Sequence, residues 1–151
     1  MKKYYLLLFV MVLVAFGCEK DDFCIDPVTP NLVLRFYDAD SPNTVLAVSE
    51  LSIWPEGTQD TLVNNQALDS VAIPLDVNNS STIYNLRMGT MIDQITINYT
   101  VNEVFVSRSC GFKATFEDVG ATLETSTWIQ SLDIISTTIE DESEAHIHIF
   151  H

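Results

Sequence analysis

The chain has 151 residues, of which 47% are hydrophobic, and its 21 acidic against 7 basic residues give a net charge of −14. That balance repels nucleic acid and anionic lipid surfaces at long range, so neither is expected as a partner. The length suits one domain with its own core, and three cysteines are too few for a disulfide-dense scaffold.

Lys2 and Lys3 precede an apolar run from Tyr4 to Phe16, and Gly17-Cys18 follows the small Ala15. A membrane-spanning helix needs roughly 20 apolar residues, whereas the hydrophobic part of a secretory signal needs about 7 to 15. Residues 1–17 therefore read as a signal peptide. Val14-Ala15-Phe16-Gly17-Cys18 resembles a lipobox, in which the cysteine receives a diacylglycerol thioether and becomes the new N-terminus, although Phe16 is bulky for its place. The next residues, Lys20, Asp21 and Asp22, resemble the Lys-acidic-acidic export signal of Bacteroidetes surface lipoproteins. Read by composition alone they make a solvated charged tether.

With Cys18 taken by lipid, Cys24 and Cys110 remain as the possible intramolecular pair, and an oxidising compartment favours a bridge between them. A bridge closing so long a loop is worth on the order of 4 to 5 kcal/mol in the loop-entropy picture. It would fasten the tether, residues 18–30, to a domain spanning 31–151.

Within that domain the chain alternates and turns. Asn31 to Tyr37 places Leu32, Leu34 and Phe36 on one side of a first strand. Asp38 to Asn43 gathers turn formers; it lacks the acidic spacing and the glycine of a calcium loop. Val45 to Trp54 reads as one or two short strands, and Asn64-Asn65 as a turn. Val71, Ile73, Leu75 and Val77 share a face, with Pro74 marking an edge position or an irregularity. Tyr84, Leu86 and Met88 alternate up to Gly89, and Ile95, Ile97, Tyr99 and Val101 define a half-buried strand.

Asn102-Glu103 offers a turn into Val104 to Val106, and Phe112, Ala114 and Phe116 share the next face. Glu117 to Ser126 has no pattern. Trp128 to Thr137 is rich in β-branched residues, and Ala145 to Phe150 makes a last strand after the acidic stretch Glu140 to Glu144. Turn signals roughly every ten residues and the lack of sustained helical spacing predict an all-β, antiparallel β-sandwich. An immunoglobulin-like or transthyretin-like arrangement of about seven to nine strands is expected, with a small barrel as the alternative.

Chemistry-bearing candidates are few. His146 and His148 lie two apart, so on a strand they share a face, as two ligands of a divalent metal should; the competing reading is an edge strand with exposed imidazoles and inward Ile147 and Ile149. No histidine lies in the domain body to assemble a Ser-His-acid site except through this strand, so an enzyme is not expected. Trp54 and Trp128, with Tyr37, Tyr84 and Tyr99, could form a platform for a sugar or could be core packing. Thr61 and Ser70 stand in Asp-Thr-Leu and Asp-Ser-Val, similar to the O-glycosylation motif of Bacteroidetes envelope proteins, which requires both to be exposed.

Taken together, Cys18, Lys20-Asp21-Asp22, Cys24, Asn31 to Tyr37 and Arg108-Ser109-Cys110-Gly111-Phe112-Lys113 resemble an uncharacterised family of small flavobacterial lipoproteins, a domain of unknown function. The resemblance supplies no activity. The resulting expectation is a non-catalytic lipoprotein of the outer membrane, surface-exposed or else on the periplasmic face, with a protein or glycan partner and no cofactor beyond the lipid on Cys18. The alternative is a divalent-metal-binding lipoprotein using the C-terminal histidines and acids.

Overall fold

The computed structural model describes Cys24, residues 28–58 and residues 60–151. The signal peptide, Cys18 and the Lys20-Asp21-Asp22 signal lie outside the described residues. The described residues form nine strands and no helix: β1 (Leu32–Tyr37), β2 (Val48–Pro55), β3 (Val63–Leu68), β4 (Ser70–Ile73), β5 (Ser81–Met88), β6 (Met91–Ser107), β7 (Gly111–Leu123), β8 (Ser131–Ile134) and β9 (Ile147–Phe150). They make a four-stranded sheet, β4-β1-β9-β8, and a five-stranded sheet, β3-β2-β5-β6-β7. The predicted all-β sandwich is the observed architecture. Every strand pairing is antiparallel except that of β1 with β9, which is parallel.

Strand alternation explains why two sheets close on each other. Leu32, Leu34 and Phe36 of β1 and Ile147 and Ile149 of β9 are fully buried, and so are Leu51 and Ile53 of β2, Leu86 of β5 and Ile95 and Ile97 of β6. All belong to one apolar cluster drawn from both sheets. Tyr99 and Phe116 meet edge-on within it, ring centroids 5.1 Å apart. Tyr84 is buried, its hydroxyl donating to the Pro74 carbonyl, and burial pushes its ionisation well above the ordinary tyrosine range.

Three sequence expectations are corrected. Asn64-Asn65 is not a turn: both lie inside β3, where the pairing with β2 slips and Asn65 takes a φ of 51°. This is a bulge, and asparagine is among the residues that tolerate left-handed backbone there. Asn102-Glu103 does not turn either, because β6 runs 17 residues to Ser107. The unpatterned stretch from Glu117 belongs to β7 up to Leu123, its alternation disturbed by a second irregularity opposite Asn98 to Thr100 and by Asp118 at φ 52°. Pro74, by contrast, falls just past β4, which is an edge strand of its sheet as the proline implied.

Beyond Ala114 the β6–β7 hairpin leaves the sandwich. Its residues Asn102 to Phe105 are all exposed, and it closes at the turn before Gly111, whose φ of 74° suits glycine. Cys110 in that turn is bonded to Cys24, with Cα atoms 4.9 Å apart and 86 residues between them in sequence. The bridge expected from cysteine parity thus sits at the hairpin tip. Thr29 adds to the attachment, its hydroxyl accepting the Ala114 N–H at 3.0 Å.

Candidate functional site

The residues that converge best lie on the outer face of the five-stranded sheet. Because Leu51, Ile53 and Leu86 point into the core, their neighbours Ser52, Trp54 and Arg87 point out. The β2–β5 register sets Ser52 opposite Arg87 and Trp54 opposite Asn85, and the β5–β6 register sets Asn85 opposite Gln94. The Asn64-Asn65 bulge brings β3 against the same spot, with the Asn65 N–H donating to Ser52 Oγ at 3.0 Å. Ser52, Trp54, Thr58, Thr61, Asn64 and Arg87 line an open depression of about 250 Å³.

Arg87 dominates its electrostatics. The guanidinium lies over Trp54, 5.9 Å from the ring centroid, and Nη2 donates to Ser52 Oγ at 3.0 Å. No carboxylate pairs with it among the described residues, and its buried Nε has no acceptor. The shortage of carboxylates is local, since the chain as a whole is acidic. Beside the depression, the Gln94 side-chain amide donates to Asn85 Oδ1 at 3.2 Å and to Glu56 Oε1 at 3.3 Å, extending a polar ladder across the sheet. An indole flanked by amides, hydroxyls and an arginine can stack on an apolar ring face while donating to and accepting from hydroxyls around it.

The aromatic residues named from sequence are not gathered. Trp128 is in the core with Nε1 donating to the Leu86 carbonyl, and Tyr84 and Tyr99 are buried. Tyr37 lies against His148, centroids 4.4 Å apart. Trp54 is the one that faces the depression. Sequence reasoning missed Ser52, Asn64 and Arg87; the asparagine doublet was noticed, but as a turn.

His146 and His148 take different surroundings. His146 is 5% exposed, and its Nδ1 accepts the Val33 N–H at 2.9 Å, so the lone pair that could reach a metal holds the start of β1 instead. Burial lowers its pKa, opposed by a hydrogen bond with the Asp141 backbone and by the charges of Asp141 and Glu142. His148 is half-buried beside Tyr37, and burial lowers its pKa too, against the pull of Asp133. Ile147 and Ile149 face the core. The acidic loop is structural at Glu142, whose Oε1 accepts the Asn31 backbone and side-chain N–H groups at 2.8 and 2.9 Å. Among the described residues, no group of three or more His, Cys, Asp or Glu is placed to hold a metal ion.

The two glycosylation candidates also part company. Thr61 is exposed on the rim of the depression, whereas Ser70 lies in β4, half-buried, and its hydroxyl donates to the Leu34 carbonyl at 3.1 Å. Comparison with curated protein sequences and with solved structures finds no match. A family profile described as a family of unknown function (DUF6452) matches residues 50–151, a span that holds β3 through β9, most of β2, the Trp54–Arg87 depression and Cys110. With two thirds of its length inside that match, the chain belongs to the DUF6452 family of unknown function.

Proposed function

We propose that the protein is a non-catalytic envelope lipoprotein, anchored in the outer membrane through lipid on Cys18 and exposed at the cell surface, whose sandwich binds a saccharide at the Trp54–Arg87 depression. The anchor reading rests on the charged start, short apolar run and Gly17-Cys18 of the leader, and on the Lys20-Asp21-Asp22 that follows. The saccharide reading is carried by one observation: an outward-facing indole beside an arginine that has no carboxylate partner among the described residues, in a depression otherwise lined by hydroxyl and amide groups. A neutral sugar fits better than a polyanion, because the chain's net charge of −14 repels the latter.

The test is titration with a panel of neutral oligosaccharides, read by tryptophan emission. Trp128 is buried, so a response reports Trp54. A saturable change that vanishes in Trp54→Ala and weakens in Arg87→Gln supports the reading. A flat titration across the panel, or a response unchanged in both variants, removes it.

A further inference from the structure

The tip of the β6–β7 hairpin is built unlike the rest of the sheet. A half-buried strand alternates apolar and polar residues, yet here apolar residues stand on both faces although neither meets the core. Phe105 and Phe112 are paired in register, 57% and 67% exposed, with ring centroids 5.4 Å apart. On the opposite face stand Val104, 38% exposed, and Val106. Val28, beside the tip, is 78% exposed. Arg108 and Lys113, two of the four basic residues between Cys24 and His151, are also here.

Its location is fixed covalently. The Cys24–Cys110 bridge ties the tip to the chain only six residues after Cys18. Fully extended, that many residues span at most about 20 Å. The far end of the same hairpin, at Met91, lies 16 residues along β6, roughly 50 Å away at ordinary strand rise. Any lipid on Cys18 therefore holds the phenylalanine pair near the bilayer and the β5–β6 turn far from it.

We infer that the hairpin tip docks into the headgroup and acyl-chain boundary of the membrane that holds the anchor, with Phe105 and Phe112 inserted and Arg108 and Lys113 at headgroup level. This rests on the lipid-anchor reading. The short tether makes the contact intramolecular, so weak insertion suffices. A tip with apolar residues on both faces and Arg108 and Lys113 among them suits this boundary, where an apolar body is buried and charged groups stay wet.

The full chain is produced with its leader, its lipid confirmed by intact mass, and reconstituted in phosphatidylcholine vesicles containing acyl-brominated lipid. Phe105→Trp and Phe112→Trp place reporters at exposed tip positions, and Thr90→Trp places one at the far turn. Docking predicts that emission from the two tip reporters is blue-shifted and lost to bromine, while Thr90→Trp behaves as wild type. If Cys18 carries lipid and the tip reporters are quenched no more than Thr90→Trp, docking is overturned and the anchor stands. A blue shift without bromine quenching means that a second copy of the chain covers the tip, which also overturns it. A mass showing no lipid on Cys18 removes both readings together.

Discussion

Asp93 Oδ2 accepts the Trp128 backbone N–H at 2.7 Å, and with it one carboxylate of the five-stranded sheet organises the crossing to the four-stranded sheet. The same carboxylate takes the N–H groups of Thr127 at 2.6 Å and Ile129 at 2.8 Å. Asp93 is fully buried, which on its own raises a carboxyl pKa, but the donors from Ile129, Trp128 and Thr127 outweigh burial and hold it below the usual range. The segment before β8 is thereby held by charge-assisted bonds in place of strand pairing.

Asp93→Ala is expected to destabilise the fold by about 3 to 5 kcal/mol, because it strands the buried N–H groups of Trp128 and Ile129. Urea unfolding measures this directly. The sign with pH follows from the lowered pKa: the contribution is present above the unfolded carboxyl value of about 3.9 and is lost as pH falls through the folded one. A wild-type stability that does not drop in acid relative to Asp93→Ala would contradict the assignment.

A second acid-sensitive point lies at the other sheet. His146 and His148 both have lowered pKa values, so the unfolded chain takes up protons first. Their share of stability is full above about pH 6.5 and declines as pH falls toward and through the folded values. Protonated His146 also cannot accept from Val33. His146→Asn keeps an acceptor without titrating in this range, and should flatten the slope of melting temperature between about pH 7 and 5. An unchanged slope would assign the pH dependence elsewhere.

Reducing the Cys24–Cys110 bridge releases a loop of 86 residues. Cys110→Ser should cost on the order of 4 kcal/mol relative to the oxidised protein, measured as a lower denaturant midpoint. The strands should persist, because the buried cluster draws nothing from Cys24 or Cys110. A far-ultraviolet spectrum that collapses on reduction would show the bridge to be a condition of folding.

Phe116→Ala should cost about 3 to 5 kcal/mol, since the ring is fully buried against Tyr99 and its removal opens a cavity. Phe112→Ala, four residues earlier on the same strand, should change stability by about 0.5 kcal/mol or less, as exposed positions do. The contrast between the two variants in one denaturation series tests where the sandwich ends and the free hairpin begins.

Much of this fold was legible because burial follows alternation. Leu32, Leu34 and Phe36, and Ile95, Ile97 and Tyr99, are inward where the pattern put them. Phe112 does share a face with Ala114 and Phe116, yet it is exposed, because alternation says which residues share a face and not whether another sheet covers it. Glu117 to Leu123 was opaque for a related reason: an irregularity near Asp118 shifts the phase, so two short patterns cancel. The depression was hidden more deeply. Ser52, Asn64 and Arg87 come from three strands, and only the register and the β3 bulge bring them together. Asp93 carried no signal at all, because nothing in its own strand reveals that the chain returns 35 residues later to cover it.

The parallel pairing of β1 with β9 has a consequence for the order of assembly. Leu34 to Tyr37 align with Ile147 to Phe150, so the first strand must wait for nearly the whole domain to be made before its central neighbour arrives. Until then β1 can pair with β4 alone, which leaves Leu34 and Phe36 without Ile147 and Ile149 beside them. Closing such distant partners is slow, and an incomplete chain gains little from attempting it. The four-stranded sheet is thus completed only once β9 is available, after every strand of the five-stranded sheet has been made.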